Sequence, residues 1–195
     1  MHAAFDASPK FDYDVLRTAD EIQRCGRDLL LWLGKLAESA EPPPVDIPLI
    51  MAIHRGWFAT TFPADAGHER RATVLNRKGT AVAYEAILPA LDSACGNWQW
   101  RRANVAPPPG PEAVEFIVAE AHTLAVLVYD IHPFIDGNTR TAWHLRNYVL
   151  MLGGLMPLRG LIDAEAHDEA WWAASPTDHE LLDRVVIDEL AAQDP

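Results

Sequence analysis

The chain has 195 residues, 49% of them hydrophobic, and a formal net charge of -12. This length suits one domain with a real hydrophobic core and is marginal for two. The acidic balance argues against a nucleic-acid-binding surface, which needs a basic stripe, and no apolar run is long enough to predict a membrane span. No signal-peptide pattern opens the chain, and Cys25 and Cys95 lack metal-ligand spacing. We therefore expect free thiols and a cytoplasmic protein with neither nucleic acid nor membrane as a partner.

Two helical patterns lie on either side of a proline run near the start of the chain. The first is predicted from Tyr13 to Ala40, and it ends at Pro42–Pro44 because successive prolines cannot continue a helix. The second is predicted from Ile47 to Phe62. Residues 1–45 are accordingly interpreted as an N-terminal helical extension, and residues 46–195 as one compact core domain.

A small β-hairpin is predicted next. Two short stretches flank Arg77-Lys78-Gly79, and the glycine can take the positive φ that a tight turn requires. Such a hairpin exposes an unpaired strand edge, to which a partner's extended backbone can add. The residues assigned to this edge are Thr73, Val74, Leu75, Asn76 and Thr80.

The rest of the chain is predicted to be helical, so the fold class is mostly α. One helix is expected from Ala86 to Ser93, with Gly96 as its stop signal. The others are expected at Glu112 to Ile131, Asn138 to Leu152 with Gly153 and Gly154 closing it, Asp163 to Ala173, and His179 to Ala192.

The ten residues from Ile131 to Arg140 hold most of the chemistry-bearing side chains between two of these helices. Asn138 is a good N-cap, and the amides from Gly137 to Arg140 would then form an anion site at a helix start. Asp136 is a candidate magnesium ligand, and His132 is a candidate general base.

This segment resembles the signature of the Fic/Doc family, His-x-Phe-x-(Asp/Glu)-Gly-Asn-Gly-Arg-x-x-Arg. A second element of the family, Ala-Gly-x-x-Arg, is matched by Ala66, Gly67 and Arg70. The resemblance implies a helical bundle with the hairpin as a flap over the active site. The signature positions that match are His132, Phe134, Asp136, Gly137, Asn138 and Arg140.

The resemblance also implies an activity: transfer of AMP or another phosphate-containing group from ATP or another nucleotide to a serine, threonine or tyrosine hydroxyl of a target protein. In that scheme His132 deprotonates the hydroxyl and Phe134 anchors the loop from within the core. Asp136 holds Mg²⁺, and Arg140 faces the outer phosphate charge. Gly137, Asn138 and Thr139 lie where the phosphates are cradled.

Two signature positions differ. Thr139 replaces the second glycine, which raises the question of a strained loop because a β-branched residue resists positive φ. Trp143 replaces the last arginine, whose pairing with phosphate a tryptophan cannot reproduce. Arg146 lies one turn further on and is a poor substitute. These differences favour a transferase but do not determine which phosphate-containing group it transfers. One alternative is a Doc-like kinase, which binds its nucleotide in the reverse direction and transfers the γ-phosphate.

Other interpretations remain. Many relatives are inhibited by a Ser/Thr-x-x-x-Glu helix, and no serine or threonine here has glutamate four residues later. We therefore expect no inhibition of that kind within the chain, although a separate antitoxin-like inhibitor is compatible with the sequence. One alternative is a nucleotide-binding pseudoenzyme with a degraded site. Another is a metal hydrolase built from His132, Asp136 and either His144 or His122.

Overall fold

The computed structural model describes residues 19–58, 64–72, 74–76, 79, 82–158 and 164–193, with the side chains of the first and sixth helices described from residues 24 and 165 onward. Within these ranges the structure has seven α-helices and no strand. A short 3₁₀ turn at Tyr84–Ala86 precedes the third helix. The helices are α1 (Ala19–Ala37), α2 (Ile47–Phe58), α3 (Ile87–Asn104), α4 (Glu112–Ile131), α5 (Asn138–Leu152), α6 (Ala164–Ala173) and α7 (Glu180–Gln193).

Helices α4 and α5 form the centre of the fold and pack on each other more extensively than any other pair. Helices α1 and α2 pack on α5, α3 and α7 pack on α4, and α6 packs on α7. Both central helices bury side chains around most of their circumference, as helices inside a bundle do, although α5 buries polar as well as apolar ones. The residues that join them, 132–137, therefore lie at one end of this central helix pair.

The bounds predicted for α4 and α5 are confirmed. Gly153 and Gly154 close α5 as expected: the Leu155 amide donates to the Leu150 carbonyl at 3.0 Å, and Gly154 has φ +82°. The predicted start of α1 at Tyr13, the predicted end of α2 at Phe62 and the predicted start of α6 at Asp163 lie outside the described residues.

The predicted end of α3 at Ser93, with Gly96 as the stop signal, is wrong, because the helix continues to Asn104. A Cβ atom added to Gly96 would meet nothing within 4 Å, so this glycine lies on an open face. Cys95 and Trp98 are buried on the other side of the helix, and the free energy gained by this burial outweighs the modest cost of a glycine within a helix.

The proline run connects α1 to the core rather than leaving it as a separate unit. The Tyr148 hydroxyl donates to the Pro43 carbonyl at 2.8 Å. Leu29 and Leu33 of α1 belong to the same hydrophobic core as α4 and α5. The Asp46 carboxylate caps α2 by accepting from the Leu49 amide at 2.9 Å.

The hairpin stays a prediction. Thr73 and Thr80 lie outside the described residues, and residues 74–76 carry no strand assignment. The Gly79 amide donates to the Asn76 carbonyl at 2.9 Å, and Gly79 has φ +72°, so a turn with the expected glycine conformation is present. Leu75 is exposed, whereas Asn76 is buried.

No helix in the described part of the chain combines the length and the apolar composition that crossing a bilayer requires.

Candidate active site

His132 ends α4 in a left-handed conformation, with φ 54° and ψ 59°. It is the one residue other than glycine with positive φ among the described residues. A non-glycine residue in this region costs about 1–3 kcal/mol and persists only where surrounding contacts impose it. The His132 amide donates to the carbonyls of Val128 and Tyr129, at 3.2 and 3.0 Å, and this closes the helix.

The His132 ring is half-buried against the edge of Tyr129, with ring centroids 5.6 Å apart. Nδ1 is buried and forms no well-directed hydrogen bond, which leaves Nε2 as the candidate atom to accept a proton. Burial has the largest effect on His132 and lowers its pKa below the ordinary value. The Tyr129 carbonyl opposes this, the nearby Arg70 cation lowers the pKa further, and Asp136 and Asp130 raise it by smaller amounts. The imidazole is thereby kept neutral near pH 7, as a general base must be.

Gly137 makes the turn into α5. It has φ +79°, and a Cβ atom built on it would lie 2.1 Å from Cε2 of Phe58. Both the conformation and the close approach of this ring require glycine. Phe134 is 0% exposed and lies in the core beneath the loop.

The N-cap of α5 is Gly137, so the prediction that Asn138 caps the helix is wrong. The Asn138 side chain turns back to the loop: its Oδ1 accepts from the Phe134 amide and its Nδ2 donates to the Phe134 carbonyl, each at 2.9 Å. Asn138 can therefore contact a phosphate only through its backbone amide, while its side chain fixes the shape of the loop.

The side chains assigned to metal and phosphate lie on the open side of this loop. Asp136 and Arg140 are exposed, and Thr139 is half-exposed. The Arg140 guanidinium lies over the rings of Trp57 and Phe58, 5.6 and 5.8 Å from their centroids. Within the described residues no carboxylate pairs with it. A cation held by aromatic faces remains available to an anionic ligand.

The first turn of α5 presents fewer amides than predicted. The Gly137 amide already donates to Oδ1 of Asp136, at 2.6 Å. The amides of residues 138–140 have no partner within the helix, because its first backbone bond runs from the Thr141 amide to the Gly137 carbonyl. They lie at the positive end of the helix dipole. Thr139 is one of these helical residues and does not have positive φ, so its substitution for glycine introduces no strain.

His54 is a site residue that the sequence analysis missed. Its Nδ1 accepts from the Gly67 amide at 2.9 Å, so Nε2 carries the proton and donates to the Asp136 carbonyl at 3.1 Å. The His54 ring stacks on the Phe134 ring, with the two ring centroids 3.8 Å apart. Burial lowers the pKa of His54 to about 4, which keeps it in this neutral tautomer. A histidine on the buried face of α2, ahead of a second family-like element, was the available signal.

Arg70 is placed against the same loop. Its backbone amide donates to the Pro133 carbonyl at 2.8 Å, and its Nε donates to the His132 carbonyl at 2.6 Å. The Ala-Gly-x-x-Arg element and the Fic-like signature, far apart in sequence, are thus in direct contact.

Trp143, the second changed signature position, and Arg146, its possible substitute, both pack against His167. Trp143 is partly buried with its ring edge-on to His167 and Trp171, at centroid distances of 5.1 and 6.1 Å. Arg146 is fully buried and donates to Nε2 of His167 at 2.8 Å. It is therefore held in the core and does not replace the missing arginine, as expected from its position on the helix.

The contacts do not assemble the metal site of the hydrolase alternative. His144 stacks on Trp57, whereas His122 lies in a separate cluster with His179 and Asp183. In that cluster Nδ1 of His122 is 2.5 Å from Oδ1 of Asp183, the separation of a hydrogen bond and too short for two ligands of one zinc ion.

Comparison with known proteins agrees with this geometry. A family model described as the Fic/DOC family matches residues 44–150. Two curated relatives, each named protein adenylyltransferase fic-1, are 35% identical in Caenorhabditis briggsae and 32% identical in Caenorhabditis elegans over 120 residues, which is 62% of this chain. The alignment spans only 22% of each relative.

Solved structures share the fold. A Fic-domain-containing signaling protein from Bacteroides thetaiotaomicron has a TM-score of 0.68 at 18% identity, covering 89% of this chain and 69% of that one. C. elegans Fic-1 also has a TM-score of 0.68, at 21% identity, covering 91% of this chain and 51% of that one. With a family match over more than half of its length and the signature loop assembled at the α4–α5 corner, the chain belongs to the Fic/DOC family.

Proposed function

We propose that this protein transfers a phosphate-containing group, in the first instance AMP, from a nucleotide to a serine, threonine or tyrosine hydroxyl of a target protein. One observation carries the proposal: a half-buried neutral imidazole, an exposed carboxylate, an exposed guanidinium and the amides of a helix start lie together at the corner between α4 and α5. The fic-1 relatives, which are named adenylyltransferases, support AMP as the first group to test.

In the proposed reaction the target hydroxyl oxygen attacks the α-phosphorus of ATP. A new P–O bond forms to the target, the bond between the α-phosphorus and the bridging oxygen breaks, and pyrophosphate leaves. His132 takes the hydroxyl proton on Nε2. The amides of residues 138–140 and the Arg140 guanidinium stabilise the phosphate charge, which is the main protein contribution to such transfers.

The residues present fit a magnesium ion. The Asp136 carboxylate is exposed, and only its Oδ1 is used within the loop, by the Gly137 amide, so Oδ2 remains for a cation. Asp136 would hold Mg²⁺, which supplies neutralisation of phosphate charge when bound.

A second candidate is transfer of the γ-phosphate, with the nucleotide bound in the reverse direction. Trp143 favours it, because this position offers an aromatic ring instead of a second cation for the β- and γ-phosphates, and Arg146 is committed to His167. A related outcome is nucleotide binding without transfer.

The test is a labelling experiment on lysate proteins with Mg²⁺ and ATP labelled at either the α- or the γ-phosphate, comparing the protein with its His132→Ala variant. Transfer of α label that falls about 10²–10⁴-fold in the variant supports AMP transfer. Transfer of γ label alone supports the kinase. If neither label moves with ATP or with other nucleotide donors, the transferase proposal is wrong.

A further inference from the structure

Arg70 is a buried cation without an acidic partner. It is 1% exposed, and no carboxylate of the described residues pairs with it. Burial lowers its pKa. A buried guanidinium is costly unless its donors are satisfied, so the contacts that compensate it indicate why it is there.

Within the described residues, the hydrogen bonds of Arg70 are all with backbone carbonyls. In addition to the Pro133 and His132 carbonyls, Nη1 donates to the Ala72 carbonyl at 2.6 Å and Nη2 donates to the Val82 carbonyl at 2.5 Å. Charge-assisted bonds of this length are the stronger kind. One side chain thus joins three separate points of the backbone.

These points have a clear relation to the site. The His132 carbonyl belongs to the left-handed residue that carries the base, and the Pro133 carbonyl, bound by the Arg70 amide, follows it directly. Ala72 and Val82 lie on either side of the segment predicted to dock the target. Arg70 therefore donates hydrogen bonds to the backbone of the residue that carries the base and to both ends of that segment.

We propose that Arg70 is a positioning residue, which holds His132 in its left-handed conformation and fixes it relative to the two ends of the 72–82 segment. This inference deepens the proposed function and rests on it. The planar guanidinium reaches three carbonyls in fixed directions, whereas a lysine ammonium supplies a point charge without that geometry.

Arg70 also affects the base through its charge. The charged groups that act on His132 are Arg70, which lowers its pKa, and Asp136 and Asp130, which raise it. Replacing Arg70 with a neutral residue should therefore raise the pKa of His132, so that a larger fraction of the base is protonated near pH 7. A merely structural arginine elsewhere would not have this effect.

The experiment compares Arg70→Gln, Arg70→Lys and, as a matched control, Arg146→Gln, which removes another fully buried guanidinium whose hydrogen bond is to His167. The His132 ring is titrated by NMR in the full chain, with its signal assigned from the spectrum of His132→Gln. The same variants are assayed for label transfer, and circular dichroism checks that each is folded.

We expect Arg70→Gln to raise the pKa of His132 and to reduce kcat by about 10²-fold, the loss typical of a small displacement of reacting groups. Arg70→Lys should leave the pKa of His132 near that of the unchanged protein, because the charge remains, and still lose about as much kcat. This variant carries the test if the glutamine variant fails to fold. Arg146→Gln should change neither quantity.

Full kcat in both Arg70 variants would overturn the inference, as would an unchanged pKa of His132 in folded Arg70→Gln. The titration needs no activity, so the two proposals can fail separately. A chain that transfers no label but shows the Arg70-dependent change in pKa contradicts the proposed function and supports the positioning role of Arg70.

Discussion

The side chain of Asn138 forms two hydrogen bonds with the backbone of Phe134, accepting one from its N–H and donating one to its carbonyl. Each of the two hydrogen bonds is 2.9 Å long, and both residues are buried. The side-chain carboxamide of Asn138 therefore pairs with the backbone N–H and the backbone carbonyl of Phe134, which would otherwise lie unpaired in the core. An asparagine that resembles a helix cap in sequence acts instead as an internal tie of the signature loop.

Asn138→Ala is expected to lower the free energy of unfolding by about 2–4 kcal/mol, because two buried backbone groups lose their partners. Urea unfolding followed by circular dichroism measures the change. Asn104→Ala is the control, since the Asn104 side chain bonds the Trp100 carbonyl at an exposed site. We expect a loss below about 0.5 kcal/mol there. Equal losses in the two variants would contradict the role assigned to Asn138.

Gly137→Ala is expected to destabilise the protein by more than Gly154→Ala. Both glycines have positive φ, and this alone costs alanine about 1–2 kcal/mol. At Gly137 the new Cβ would also overlap the Phe58 ring, whereas at Gly154 it meets nothing within 4 Å. Thermal unfolding compares the two variants. Adding Phe58→Leu to Gly137→Ala should cost less than the two separate changes added together, because the smaller side chain relieves the overlap; simple additivity would argue against the clash.

Stability is expected to fall as the pH decreases from about 6.5 to about 4, and His54 is expected to contribute to the slope. Burial lowers the pKa of folded His54 to about 4. The unfolded chain then binds the additional proton across this window, so the free energy of unfolding rises with pH. Protonation of His54 at Nδ1 would also break the hydrogen bond from the Gly67 amide, because both groups would then be donors.

His54→Gln should reduce that slope by up to about 1.4 kcal/mol per pH unit, the contribution of one proton. Denaturant unfolding at several pH values measures the slope in both proteins. The same slope in both would show that His54 does not titrate differently on folding.

Arg140→Ala is expected to weaken binding of ATP with Mg²⁺ by about 10–100-fold, which corresponds to loss of a charge-assisted contact of about 1.5–3 kcal/mol. Stability should change little because the side chain is exposed. Arg102→Ala is a matched control, since Arg102 is also an exposed cation over an aromatic ring, 5.4 Å from the centroid of Trp98. Calorimetry at two salt concentrations measures the affinity of both variants for ATP with Mg²⁺. Equal affinities would show that Arg140 does not bind the phosphates.

The order and bounds of the two central helices follow from the sequence alone. Apolar residues at helical spacing, the glycines after Leu152 and the residues around Pro133 are local signals, and they place His132 between α4 and α5 correctly. The signature positions and the Ala-Gly-x-x-Arg element also identify the family. The local stop signal at Gly96 does not end α3, because burial of one helix face outweighs the low helix propensity of a single glycine.

Tertiary structure decided which atoms of these residues are available. His54 bonds a residue 82 positions away, and Arg70 bonds one 62 positions away. No local pattern encodes such pairs, because they depend on how α2 and the following loop pack against the end of α4. Within the signature loop, Asn138 turns back to Phe134, and His167 of α6 holds Arg146 in the core. Sequence thus determined the helices and the identity of the chemical groups, whereas the packing of distant segments determined which groups form the site and which hold it in place.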